Sequence, residues 1–314
     1  MKPNILVICG PTASGKTALA VALAQRFNGE VVSADSMQVY RRMDIGTAKP
    51  TAEEMQGVPH HMLDVADPEE NYSVARYVAE AVPIVDDILA RGKLPIVAGG
   101  TGLYIDNLIA GRRFAPFEAD SGLRQSLQQQ AKAEGLPALR SELERVDPDA
   151  AARIHPNDEK RTIRALEVFF STGKTITQHD RESRDIPNRY VPLTIALNFR
   201  ERPWLWERID RRVEEMMARG LEGEVRQLLA DGVPPGCTAM QAIGYKELAA
   251  AILENRPVAE GVEEVKLRSR QYAKRQLTWF RRNKAAHWFT WEEIPNFSAA
   301  LDFSTELVTA SGLQ

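Results

Sequence analysis

Cysteine is scarce in this chain. Cys9 and Cys237 are the only two in 314 residues, too few and too far apart for a disulfide framework, so the composition fits a reducing compartment. Cys9 closes the apolar run Ile5-Leu6-Val7-Ile8-Cys9 and reads as a small buried residue, not a nucleophile. Long hydrophobic runs are missing as well. Nothing approaches the ~18 apolar residues of a membrane span. Lys2 and the run after it imitate the start of a secretion signal, but the run is too short and Gly10-Pro11 ends it. The expectation is a cytoplasmic, monomeric protein with no membrane partner. Charge of one sign is not in excess either: the net charge is −3, so any argument for nucleic acid must come from local patches. Metal-site spacing is lacking, with no H-E-x-x-H and no paired cysteines. His60-His61 are adjacent, converge poorly on one metal, and read as a structural or hydrogen-bonding pair, so no zinc is expected. A G-x-S-x-G nucleophile elbow is absent too.

What is present begins with alternation of strands and helices. Asn4 to Cys9 is a short β-branched run closed by Gly10, the pattern of a buried strand. Lys16 to Phe27 has Leu19, Leu23 and Phe27 at helical spacing. Glu30 to Ala34 predicts a second strand, Tyr72 to Arg91 a helix kinked at Pro83, and Leu94 to Ala98 a third strand ended by Gly99-Gly100. This order argues for an α/β domain with a mostly parallel sheet. From Phe114 to Pro187 no strand is convincing. Leu123 to Gln130, Pro137 to Arg145 and Asp158 to Phe170 read as helices, punctuated by Pro116, Gly122, Gly135, Pro148 and Pro156. Val191 to Leu197 then returns to a strand. The spacing therefore predicts residues 1–113 and 190–314 as the core, with 114–189 as a helical insertion. The remainder reads as helical: Pro203 to Arg219, Glu222 to Ala230, Tyr245 to Glu254, and Ala259 to about Ala286.

Residues 10–17, Gly10-Pro11-Thr12-Ala13-Ser14-Gly15-Lys16-Thr17, fit G-x-x-x-x-G-K-[ST] in full. They follow a predicted strand and open a predicted helix, which is the context a phosphate-binding loop requires. The glycines permit close backbone approach, and successive amides form an anion nest at a helix N-terminus. Lys16 would reach phosphate oxygens, and Thr17 would offer its hydroxyl to Mg²⁺. The loop alone does not name the phosphate compound.

Two further segments end strands at their carboxyl side, where α/β proteins bind ligands. Asp35 follows Glu30–Ala34 and would serve Mg²⁺ through water or act as a general base; capping a helix is an equally good reading. Thr101, in Gly99-Gly100-Thr101-Gly102, would bond a phosphate oxygen or an attacking group, with an ordinary strand-to-helix turn as the alternative. The three glycines would allow the backbone to turn near a ligand. Downstream, Lys266 to Lys284 holds eight basic residues and no acid, with Tyr272, Trp279 and Phe280 interleaved. Such a pattern suits phosphates and unpaired bases, although a solvated helix face gives the same composition. Lys160, Arg161 and Arg164 make a second basic cluster.

Taken together, the motif at 10–17, Asp35 to Tyr40, Gly46 to Pro50, His60-His61, Gly99 to Tyr104, His155 to Arg161, Gln241 to Glu247 and Lys274 to Arg281 make the chain resemble the bacterial tRNA dimethylallyltransferases, or tRNA isopentenyltransferases. The resemblance implies an α/β fold with a P-loop NTPase-like parallel sheet core and a helical insertion domain. It implies transfer of a dimethylallyl group from dimethylallyl diphosphate to the exocyclic amine of the adenine 3′ of the anticodon, in tRNAs reading U-initial codons. The loop at 10–17 then holds an isoprenoid diphosphate, with Mg²⁺ as cofactor at Thr17. Asp35 falls at the family's general base, with Lys16 and Thr101 beside it, and Ser36, Met37 and Gln38 would hold the target base. Arg208 or Arg212 corresponds to an arginine near the diphosphate.

The partner implied is a tRNA anticodon stem-loop. Glu159, Lys160, Arg161, Thr162 and Ile163, together with Lys274, Arg275, Gln276, Leu277, Thr278, Trp279 and Phe280, would grip it. Met240, Gln241, Ala242, Ile243, Gly244 and Tyr245 would read loop bases. Leu123 and Arg124 are further candidates on the tRNA side. Two rival readings share parts of this pattern: a small-molecule kinase using ATP, and an RNA-binding module with a relic phosphate loop.

Overall fold

The computed structural model describes residues 2–112, 121–184 and 187–313. The expected start of the insertion at Phe114, with Pro116, lies outside the described residues. Contacts divide the chain into two compact units, Met1–Gly111 with Arg189–Gln314, and Arg112–Asn188.

The first unit opens with β1 (Asn4–Cys9), α1 (Lys16–Arg26), β2 (Gly29–Ser33), the short α2 (Ala52–Met55) and β3 (His60–His61). It continues with α3 (Val74–Ala90), β4 (Leu94–Gly99) and α4 (Gly102–Ala110). The second unit holds α5 (Ser121–Glu134), α6 (Leu136–Val146), α7 (Pro148–Arg153), α8 (Glu159–Thr172) and α9 (Ile176–Arg184). The chain then returns to the first unit as β5 (Val191–Phe199), α10 (Arg202–Ala218), α11 (Leu221–Ala230), α12 (Tyr245–Leu253), α13 (Val258–Phe280), β6 (His287–Trp291) and α14 (Phe297–Ala310).

Six strands form one sheet in the order β3-β2-β4-β1-β5-β6, and every pair is parallel. Strand periodicity explains why both faces are covered. Ile5, Val7 and Cys9 turn to one face, where Tyr77, Val85 and Ile88 of α3 and Leu108 of α4 pack. Leu6 and Ile8 turn to the other, against Leu19 and Leu23 of α1 and Leu205 and Ile209 of α10. The helical unit has its own small core, built on Leu127, Leu139, Leu143 and Leu166.

The most consequential departure from the sequence reading lies at the C-terminal end. The helix expected to run to Ala286 stops at Phe280, and a strand follows. In β6, Trp291 is buried at the edge beside β5, its ring near Phe199. The helix α14, which the reading did not anticipate, is capped by Asn296 and buries Ala300, Ser304 and Val308 at every fourth position. In the insertion, α7 and α9 are additional helices. At the other end of the chain, α2 carries a full capping box between Thr51 and Glu54.

The histidine pair is structural. His61 Nε2 meets Glu30 at 2.8 Å, and His60 Nδ1 meets the Val58 carbonyl at 2.9 Å. Glu30, 4% exposed at its side chain, also receives Arg91 and Lys93. Arg91 beside it, helped by Lys93 and His61, holds its carboxyl far below the usual range. A carboxylate depressed in the folded state stabilises the fold above its ordinary titration near pH 4.3 and loses that contribution as pH falls below it. Glu30→Gln should therefore destabilise the protein by about 2–3 kcal/mol at pH 7. Thermal unfolding followed from pH 7 to pH 3 should show the gap to the parent closing below pH 4.5; a gap independent of pH would sink the assignment.

Candidate active site

The loop between β1 and α1 is held by its carbonyls. Pro11 O accepts from Lys16 Nζ at 2.6 Å, Ala13 O from Arg208 Nε at 3.2 Å, and Ser14 O from Trp291 Nε1 at 2.9 Å. Gly15 takes φ 84°, the left-handed conformation that glycine adopts without strain, and caps α1. Gly10 packs so closely that a Cβ would lie 2.7 Å from Leu197 O. Among the described residues, the amides of Ala13, Ser14, Gly15, Lys16 and Thr17 meet no protein acceptor. The Ser14 hydroxyl is buried and has no partner. Carbonyls tied away and amides left over make an anion nest.

The cation in this nest is tuned. Burial, and then the nearby Arg212 guanidinium, lower the Lys16 pKa to about 8, while Asp35 opposes the shift. Arg212 is itself held below its ordinary value by burial, and no carboxylate makes an ion pair with it among the described residues. Arg208 differs: it is spent on the Ala13 carbonyl and lies over the Phe199 ring. Of the two candidate arginines, Arg212 is therefore the one beside Lys16 with its charge unspent.

Asp35 follows β2, as expected, but no α-helix follows it. Its Oδ1 accepts the Met37 amide at 2.9 Å, so it caps a turn. Thr101 accepts the Ser36 amide at 3.0 Å and lies 3.4 Å from the Ser36 hydroxyl. Asp35 lines one cavity of about 670 Å³ with Ser14, Lys16, Thr17, Arg208 and Arg212, and Thr101 stands behind Ser36 outside that lining. Residues 46–50 and Gln241, Ala242 and Ile243 form further parts of its wall. Ser36 and Met37 line it too. Gln38 is engaged, its Nε2 donating to Thr47 O and Ala48 O and its Oε1 accepting from Ser33.

The three glycines around Thr101 are packed against protein, and Gly99 and Gly100 also line the cavity. A Cβ on Gly99 would lie 2.2 Å from Ala34 O, on Gly100 2.2 Å from Gln276, and on Gly102 2.2 Å from Trp279. Gln276, placed by sequence on the RNA side, is buried here and bridges two loops. Its Oε1 accepts the Thr12 amide and its Nε2 donates to Gly100 O, both at 2.9 Å.

The other RNA-side residues divide by face. On α13, Leu277 and Phe280 enter the core and Trp279 bonds Asp106, whereas Lys274, Arg275 and Thr278 are exposed. Farther up the helix, Lys266 pairs with Glu214 and Glu263, and Arg270 with Asp210. Met240 and Tyr245 are core residues, and Gly244 is buried. In the helical unit, Glu159, Lys160 and Arg161 are exposed at the start of α8, Thr162 and Ile163 are buried, Leu123 packs on the core, and Arg124 pairs with buried Glu167. Sequence reasoning missed Trp291 as a loop anchor and Tyr272 as a cavity residue. Tyr272 lines the cavity under the Arg275 guanidinium, and burial, with Asp35 nearby, pushes its pKa to about 12.

Comparison with known proteins identifies relatives over nearly the whole chain. Residues 38–283 match the IPP transferase family model, and residues 3–72 match that of isopentenyl transferases. A tRNA dimethylallyltransferase of Caldanaerobacter subterraneus is 48% identical over 301 residues, covering 94% of this chain and 96% of the relative. The crystal structure of a full-length tRNA isopentenylpyrophosphate transferase from Bacillus halodurans superposes with a TM-score of 0.73 at 42% identity, covering 99% of both chains. A eukaryotic dimethylallyltransferase, solved acting on tRNA, reaches a TM-score of 0.81 at 30% identity, covering 98% of this chain and 80% of that one.

The lowered Lys16 pKa sets a pH signature for anion binding. The cation is present below pH 8 and lost as pH rises through it, while a bound diphosphate would raise the pKa and favour proton uptake. Affinity for an organic diphosphate should be flat from pH 6.5 to 7.5 and fall by up to about tenfold per unit above pH 8. Calorimetric titration across pH 7–9.5 measures this; an affinity unchanged to pH 9.5 would remove Lys16 from the anion site.

Proposed function

The chain belongs to the tRNA dimethylallyltransferase family of prenyltransferases, and we propose that its tRNA substrate is modified at the exocyclic amine of the adenine 3′ of the anticodon, in tRNAs reading U-initial codons, with release of diphosphate. The observation that carries this reading is a single cavity in which a carboxylate, Asp35, faces a phosphate loop with unspent amides. The diphosphate of dimethylallyl diphosphate lies against the amides of residues 13–17, Lys16 and Arg212. Asp35, its Oδ1 fixed by Met37, takes the proton from the adenine amine as the nitrogen attacks the first carbon of the dimethylallyl group. The C–N bond forms as the C–O bond to diphosphate breaks, and the nest and its two cations stabilise the departing charge. Thr101 orients Ser36 beside the carboxylate.

Mg²⁺ fits beside the loop: the Thr17 hydroxyl lines the cavity and would hold it, and Mg²⁺ would take its remaining ligands from water and phosphate oxygens, leaving Asp35 as the base. When bound, it neutralises charge on the diphosphate.

The target adenine must leave its stack to reach the cavity. Lys274, Arg275 and Thr278 on α13, and Glu159, Lys160 and Arg161 on α8, are exposed for the anticodon stem-loop, and Gln241, Ala242 and Ile243 meet loop bases at the cavity wall.

The test is a transfer assay with Mg²⁺, labelled dimethylallyl diphosphate and an unmodified anticodon stem-loop, with ATP in a parallel reaction. Label should enter RNA without ATP; ATP-dependent phosphorylation of a metabolite, with no labelled RNA, would instead make the protein a kinase. In the same assay Asp35→Ala should lower turnover by about 10²–10⁴-fold. A gel shift should show its RNA binding retained. Lys274→Ala with Arg275→Ala should weaken RNA binding and reduce the salt slope by roughly 1.5, with turnover restored at saturating RNA. An unchanged slope would take these two side chains off the RNA.

A further inference from the structure

Residues 46–50 line the cavity, yet no ligand-facing motif explains what fixes them. Buried Lys49 ties the far end of this segment to Tyr40 O, Asp44 and Asp64, and the near end is held from α11. The Glu224 carboxylate accepts three successive backbone amides, those of Asp44 at 3.0 Å, Ile45 at 2.9 Å and Gly46 at 3.3 Å. It also accepts the Tyr245 hydroxyl, which in turn takes the Gly46 amide at 3.2 Å. This is a second anion nest, closed by an anion from the chain itself. From it the constraint runs on through a continuous set of contacts. The next residues, Thr47 and Ala48, present their carbonyls to Gln38 Nε2, and Gln38 Oε1 accepts from Ser33 at the end of β2. Between Ser33 and Gln38 lies Asp35.

We infer that Glu224 is a positioning residue for the transfer reaction: its carboxylate latches the turn at 44–46 and, through Thr47, Ala48 and Gln38, sets the segment that carries Asp35. This rests on the assignment of the cavity as the transfer site. The latch touches neither Lys16 nor the loop at 10–17, so it separates the placement of Asp35 from the binding of diphosphate.

Glu224→Gln keeps the shape but removes the charge and one acceptor. Its kcat should fall by about tenfold or more while KM for dimethylallyl diphosphate stays within about twofold. Glu224→Asp should recover part of the loss. Hydrogen exchange at residues 44–48 should speed up in Glu224→Gln, and protection of the loop at 10–17 should not change. Should that variant fail to fold, Tyr245→Phe removes one hydroxyl from the same latch and carries the same exchange readout. A kcat within twofold of the parent, or a loss confined to KM, overturns the inference. If the parent transfers no label to RNA, the transfer assignment fails by itself. Exchange then decides the latch: unchanged protection at 44–48 overturns it.

Discussion

One carboxamide holds the two ligand-facing loops together. Gln276 comes from α13, more than 170 residues after Gly100 and more than 260 after Thr12, and meets both at 2.9 Å. The link requires an amide, because one end must accept and the other donate. Without it a loop N–H and a turn carbonyl would lose their partner, at about 1–3 kcal/mol for each one left unsatisfied. The glycines answer to the same constraint. Gly100 and Gly102 lack side chains where Gln276 and Trp279 of α13 press in, and Gly99 lacks one where Ala34 O approaches. Helix α13 thus acts as a brace across the carboxyl ends of the strands, and its basic outer face is what remains after the inner face has been used.

That division shows how far the sequence could be read. The strand β1, the loop and α1 are local: a β-branched run, a glycine turn and a helical stripe in immediate succession, all visible without knowing what packs where. The charge run on α13 was equally visible, but its sidedness was not. Lys274, Arg275 and Thr278 face out and Gln276, Leu277 and Phe280 face in, and only the position of the sheet decides which face is which. A buried polar residue in a basic stretch reads as surface. The edge strand β6 was hidden for a related reason: an aromatic run after a charged helix carries no alternation that distinguishes it from the helix continuing. The small-residue stripe of α14, at Ala300, Ser304 and Val308, and the capping pair Thr51 and Glu54 were signals in plain view.

Two arginines one helical turn apart show the limit from another side. Both were candidates because the resemblance places an arginine near the diphosphate on the helix that carries them, here α10. The structure separates them by what each already holds. Arg208 is committed to a carbonyl of the loop, so its work is to shape the nest. Arg212 lies close enough to Lys16 to depress it, with Asp35 opposing, while Arg212 itself is lowered chiefly by burial. No spacing rule distinguishes these roles, since they depend on which atoms of the loop turn outward.

The two nests of this fold make the same physical point with opposite outcomes. Around Glu224 the amides of residues 44–46 are matched by a charge fixed in the chain, so that turn is a rigid wall. At residues 13–17 the amides and a buried hydroxyl meet no acceptor among the described residues. Lys16 holds only the Pro11 carbonyl, and the carboxylates of Asp35, Glu54 and Glu215 stand near the two cations, Lys16 and Arg212, without pairing with them. A site built this way favours whichever ligand brings the most negative charge to the loop while leaving Asp35 free to accept a proton. A diphosphate leaving group attached to an uncharged carbon does both. Its charge increases as the bond breaks, so the same nest that binds it holds it more strongly at the moment of transfer.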